Sequence, residues 1–321
     1  MASHRRLILS SSVTFLRAEL PITFHNTPTR AMTKPPKPKL IPFDELPEWY
    51  QDNPHIHHGY RPVSGSTRAS IASWRHVHNE IINIHTHLVP CAAFLLGEWY
   101  VLQHLHARYG TVALADDLVF TAFLLAAAAC LGLSAAYHTL INHSQAVEHM
   151  WLRLDLVGIV LLTVGDLVSG VYMVFWCEPL QRWIYWAMIL SLGSLTVLVV
   201  VHPKFQGPRW RGFRVACFVG TGISGLAPLA HGLYLFGPPT MMRQSGMPYY
   251  LAEGGLLCFG VSVYATRLPG SVWPGKFDIY GSSHQIFHLL VVLATVTQLV
   301  GLLAAFDYNY HNRACPPIRV N

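Results

Sequence analysis

His284 and His288, in "GSSHQIFHLLVV", stand four residues apart where a polar loop enters an apolar run. On a helix, residues i and i+4 share a face about 5–6 Å apart at Cβ, so two imidazoles there could reach one metal ion. Alone the pair is a weak signal, because the chain holds 19 histidines. Other polar groups in apolar surroundings add to it. Ser134 and His138 are also four apart in "LGLSAAYHTL", and Asp155 opens another apolar run in "LRLDLVGI". Three neutral imidazoles, His138, His284 and His288, plus a water form the open pattern of catalytic zinc; structural zinc usually takes four protein ligands. Zinc lowers the pKa of such a water to about 7. Asp155 would orient the water and take its proton. Ser134, one turn deeper than His138, could hydrogen-bond a substrate carbonyl or its oxyanion, or simply bond back to its own helix. These two readings of Ser134 stand level.

The elements that would position these groups are membrane helices. The 321 residues are 52% hydrophobic and 12% charged, against about 25% charged in an ordinary soluble domain. The apolar residues fall in seven blocks long enough to cross a bilayer: 84–106, 114–138, 154–176, 183–201, 215–237, 247–265 and 285–306. The fold class expected is an all-α integral membrane protein, a seven-helix bundle over 84–306. Of the 22 Lys/Arg, 17 lie in residues 1–83 and the even-numbered loops. The positive-inside rule then predicts a cytoplasmic N-terminus and an extracytoplasmic C-terminus. The basic excess reads as topology and contact with anionic lipid, not nucleic acid. In this orientation His138, Asp155, His284 and His288 share one depth at the cytoplasmic face, which no local motif required.

Outside the bundle, residues 1–40 read as a disordered cytoplasmic arm ending in the proline-rich "KPPKPKLIP"; the Arg/Ser-rich residues 1–33 also have the composition of a mitochondrial presequence. Residues 41–83 read as an interfacial cytoplasmic segment, and 307–321 as an extracytoplasmic tail. The "HIHH" of 55–58 reads as solvated or interfacial histidines rather than a metal site. His85 and His87, two apart, face opposite sides of a helix, and His231 is expected to be hydrogen-bonded inside the bundle. Asp166, eleven residues after Asp155, lies about 16 Å deeper as the lone deep acid; it either lines a cavity or pairs with a neighbour. The six cysteines are scattered singly and give no C-x-x-C zinc site. Cys177 and Cys315 fall on the predicted outer side and could pair. The sequon "NHS" at 142–144 lies on the predicted cytoplasmic side, so a glycan there would overturn the orientation.

Taken together, "DNPHIHHGYRP", "HNEIINIHTHL", "CLGLSAAYHTLINHS", "LDLVGI", "GISGLAPLAHG" and "YATRLPGSVWPGKFDIYGSSHQIFH" resemble the progestin and adiponectin receptor family, also called haemolysin III-related. The resemblance covers roughly residues 41–306. It implies seven helices with the N-terminus cytoplasmic, and a zinc ion near that face. It places the zinc ligands on His138, His284 and His288, the water-holding aspartate on Asp155 and the nearby serine on Ser134. The family is related to alkaline ceramidases, which cleave the ceramide amide with this zinc arrangement. Some members are receptors for protein hormones or steroids, and fungal members are linked to zinc and to sterol or lipid homeostasis. The chain departs from the pattern at His85, at Asp166 and in the "GSVW" after "RLP".

Three functions follow as expectations. One is a zinc-dependent hydrolase of a lipid amide, with the lipid or a sterol-like ligand in the bundle cavity. The second is a signalling receptor whose zinc is structural, with a partner at the cytoplasmic arm. The third, a metal transporter, ranks last because polar groups cluster at one face. Integral, multi-pass residence in the plasma membrane or an endomembrane is expected.

Overall fold

A computed structural model describes residues 39–206 and 208–315. The arm expected over 1–40 falls outside them except for its last two residues, as does the end of the tail. Apart from one bridge between Ile41 and Tyr60, regular structure among the described residues is helical.

A short α1, Thr67–Ala72, precedes the long helices α2 (Ile81–Arg108), α3 (Leu114–Leu140), α4 (Gln145–Val174), α5 (Pro179–Val201), α6 (Arg211–Ile223), α7 (Leu226–Gln244), α8 (Met247–Thr266) and α9 (Ser283–Asn312). Each apolar block of the sequence thus became helical, since backbone groups in an apolar medium must be paired within their own segment. Among the described residues six stretches are long and apolar enough to cross a membrane: α2, α3, α4, α5, α9 and 211–244 taken as one. The last is broken at Ser224–Gly225 into α6 and α7. A Cβ at Gly225 would collide with Leu167 of α4 and the Tyr250 hydroxyl of α8. Both are side-chain tips, which would have to move aside to admit a larger residue at Gly225. The 20-residue α8 has the length of a span, but Tyr249, Tyr250, Glu253 and three glycines dilute its apolar character.

Helices α3 and α4 are the most enclosed, and α2 and α5 are peripheral. Phe120, Phe123, Leu124 and Leu131 of α3 pack with Met173 of α4 and Leu302 and Phe306 of α9 in the main core. At the end where α3 stops and α9 starts, residues 41–80 pack against the helices. Leu46, Tyr50 and Tyr60 bury against Tyr137 and Ile141, and Asp278 accepts hydrogen bonds from the backbone N–H of His57 and of His58, both at 2.9 Å. The "HIHH" run is therefore held by its backbone. Asn142 of the sequon is buried; its amide donates to the Pro62 carbonyl and its oxygen accepts from Ser70. The folded chain uses that side chain internally, so the sequon is no gauge of topology.

The opposite end is closed by a disulfide between Cys177 and Cys315, with an Arg313–Glu178 ion pair at 2.6 Å beside it. Buried Asn309 of α9 donates there to the carbonyls of Met173 and Gln244. The two outer cysteines do pair, and the four others are free.

Candidate metal centre

Buried His138, near the last turn of α3, meets His284 and buried His288 on the first turns of α9. One nitrogen or more of each ring lies within 4.8 Å of the others. The ring centroids stand 4.7–4.9 Å apart. Among the described residues this is the one cluster of His, Cys, Asp and Glu with metal-binding geometry. The sequence-predicted ligands are therefore brought together, across helices almost 150 residues apart in the chain.

The protonation of the rings suits ligation. His138 Nδ1 bonds to Glu80 Oε2 at 2.7 Å, and its Nε2 is buried with no partner. A buried nitrogen without a partner is costly, whereas a neutral imidazole whose Nδ1–H is held by a carboxylate presents Nε2 as a ligand atom. His288 Nδ1 bonds to the Asn83 carbonyl at 3.2 Å, which leaves its Nε2 as the acceptor. The orphaned His138 nitrogen and this all-imidazole donor set fit a transition-metal ion.

Glu80 is the residue that sequence reasoning missed. It precedes α2 and takes donors from three sides: Asn79 at 2.8 Å, Asn83 at 2.7 Å and His138. Burial alone would raise its carboxyl pKa. The hydrogen bonds from His138 and Asn83, with the neighbouring imidazoles, overcome this and hold it down to about 2. Glu80 is thus an anion facing the back of a ligand ring. Its signal lay in "HNEIIN", where an acid stands among amides just before an apolar run. Arg61 is a second omission: its guanidinium donates to the His138 carbonyl at 2.7 Å and the Thr139 carbonyl at 3.0 Å. A cation on the last carbonyls of a helix is favourable, and it fixes the end of α3 that carries His138.

Asp155 of α4 lies within the electrostatic reach of His138, with Ser134 close to its carboxyl group. Of the rival histidines, His87 lies behind the site, stacked on His288 with ring centroids 3.7 Å apart and both nitrogens unpartnered. His85 bonds to the Ile81 carbonyl, and His231 bonds to the Tyr185 hydroxyl at 3.0 Å inside the bundle, as expected. Asp166 is not the lone deep acid. Glu253 of α8 lies close to it, and both are buried. Glu253 escaped notice because the block around it, though diluted, is still mostly apolar.

The family model for haemolysin-III related proteins matches residues 75–299. The chain belongs to the haemolysin III-related family. It is 37% identical over 277 residues to the adiponectin receptor protein of Drosophila melanogaster, covering 86% of this chain and 62% of the fly protein. It is 35% identical to the ADIPOR-like receptor IZH2 of Saccharomyces cerevisiae, covering 84% of each. It is also 31% identical to heptahelical transmembrane protein 4 of Arabidopsis thaliana, covering 85% of this chain and 90% of the plant protein. The chain spans under two thirds of the fly and nematode relatives it matches, 62% and 63%. With its apolar helices, this family member is an integral, multi-pass membrane protein.

Proposed function

We propose that this haemolysin III-related protein is a zinc-dependent hydrolase of a lipid amide of the ceramide type. The observation that carries the reading is an open set of three histidines with an acid and a serine beside it, at one end of an apolar bundle. His138, His284 and His288 would hold the zinc, which when bound acidifies a water and polarises a carbonyl. Asp155 is placed to accept the proton as the water's oxygen bonds to the amide carbon, and to return it to the nitrogen when the C–N bond breaks. The products are a fatty acid and an amine. Ser134 lies near Asp155 and can donate to the developing oxyanion. Glu80 stays an anion behind His138 and sets its tautomer.

In this reading α8 is the seventh span, the N-terminus is cytoplasmic and the C-terminus is outside. The Cys177–Cys315 disulfide supports that orientation, since disulfides persist in oxidising compartments. A receptor with a structural zinc is the second reading, favoured by ligands that tie α3 to α9. The occupant of the bundle, a lipid amide or a sterol-like molecule, and a signalling partner at the N-terminal arm belong to these proposals. Lipid and zinc homeostasis is the expected setting.

The test is purified, zinc-loaded protein incubated with short- and long-chain ceramides. Wild type should release fatty acid, and Asp155→Ala should lose that release by about 10²-fold or more. Equal release from both would end the hydrolase reading. His138→Ala should purify without zinc; undiminished zinc content would remove His138 from the ligand set.

A further inference from the structure

Beside the start of α2 lies an open groove of about 340 Å³ that takes no part in the histidine site. Its wall is Trp74, Arg75, His76 and Val77, and its floor is Ile81, Ile82 and His85. Trp74 is fixed by a 2.9 Å hydrogen bond from its indole to Thr139. His85 is fixed by its bond to the Ile81 carbonyl. Arg75 is exposed, and its guanidinium has no hydrogen bond or ion pair among the described residues. No carboxylate lines the groove; Glu80, the nearest acid in sequence, is turned inward to His138. The groove is therefore cationic on one side and apolar below.

The apolar side continues out of the groove. Ile82 and His85 begin a stripe that runs down the outer face of α2 through Val89, Ala92, Leu96 and Trp99. Val89, Leu96 and Trp99 are 62%, 76% and 69% exposed. The spacing of three to four residues keeps the stripe on one side of the helix. From Ile82 to Ala92 it descends about 15 Å, half the hydrocarbon thickness of a bilayer. A soluble anion would use the cations and leave this stripe idle. A molecule with an anionic head and acyl chains would use both.

We propose that the groove is a binding site for one anionic phospholipid, with its head on Arg75 and His76 and its acyl chains along the α2 stripe. The site orders a lipid at the boundary where α2 enters the membrane, on the end of the bundle that carries the histidine cluster. It does not depend on that cluster being catalytic.

Native mass spectrometry tests it. Purified protein is equilibrated with equal amounts of phosphatidylcholine and phosphatidylserine of matched chains. Wild type should retain phosphatidylserine in preference to phosphatidylcholine. Arg75→Gln should cut that retention about fivefold, the effect expected of one surface cation on an anionic lipid. Arg68→Gln, an exposed cation outside the groove, should leave it unchanged. Unaltered zinc content and thermal unfolding of Arg75→Gln show that the fold is intact. Glycerophosphoserine, the same head without chains, should not displace the lipid. Equal retention of both lipids, no loss in Arg75→Gln, equal loss in Arg68→Gln, or displacement by glycerophosphoserine would each overturn the proposal.

Discussion

At the scale of single residues, the site is governed by which nitrogen of each histidine is left free. Glu80 accepts from His138 Nδ1 and Asn83 from His288 Nδ1, so the remaining nitrogens are available to a metal. Replacing Glu80 with Gln keeps the volume but removes the charge that stabilises the ring. Metal affinity should fall about 10–100-fold, read by competition with a zinc chelator, while the purified protein still folds. The clustering of His138, His284 and His288 was legible in the sequence because each is a polar group in or at the edge of an apolar run. Glu80 was not, because it lies among other polar residues, where one more acid is unremarked. Glu253 was hidden for the opposite reason: hydropathy averaged over a helix absorbs a single acid. Its partner Asp166, on another helix, is a matter of packing that no local pattern encodes.

At the scale of elements, the distance between α3 and α4 decides whether Asp155 reaches the histidines. Gly158, one turn beyond Asp155, sits against the backbone of Cys130; a Cβ there would lie 3.0 Å from its Cα and 3.3 Å from its carbonyl oxygen. Backbone cannot yield as a side-chain tip can. Gly158→Ala should therefore push the two helices apart, at a cost of about 1–3 kcal/mol. Thermal unfolding in detergent reads that loss, and ceramide turnover should fall with zinc content unchanged, because all three ligands lie on α3 and α9. Helix positions were largely legible, since apolar length is what a bilayer demands. Their ends were not: α4 begins at Gln145, nine residues before its apolar block, and α9 runs to Asn312, six beyond. Polar turns project past the apolar slab and are stabilised by packing. The interruption at Gly225 was likewise invisible, because it answers to side chains on two other helices.

On the scale of the whole molecule, α9 is fastened at both ends to earlier parts of the chain. The histidines join its start to α3, and the disulfide joins the residues just after it to the turn between α4 and α5. The latter closes residues 177–315 into a covalent ring that holds α5 through α9 and two of the three proposed ligands. Lys204, Arg209 and Arg211 lie exposed within that ring, between α5 and α6. A single cut there opens the backbone without dividing the molecule. Protein cut once, by a site-specific protease at a recognition sequence placed in that loop, should migrate as one full-length species on a non-reducing gel and as two fragments once thiol is added. Two fragments without thiol would show that the bond does not form in the native protein. If the ring is present, a clipped chain still carries His138, His284 and His288 on one covalent body. A break in the α5–α6 connection would then go unnoticed by the metal centre.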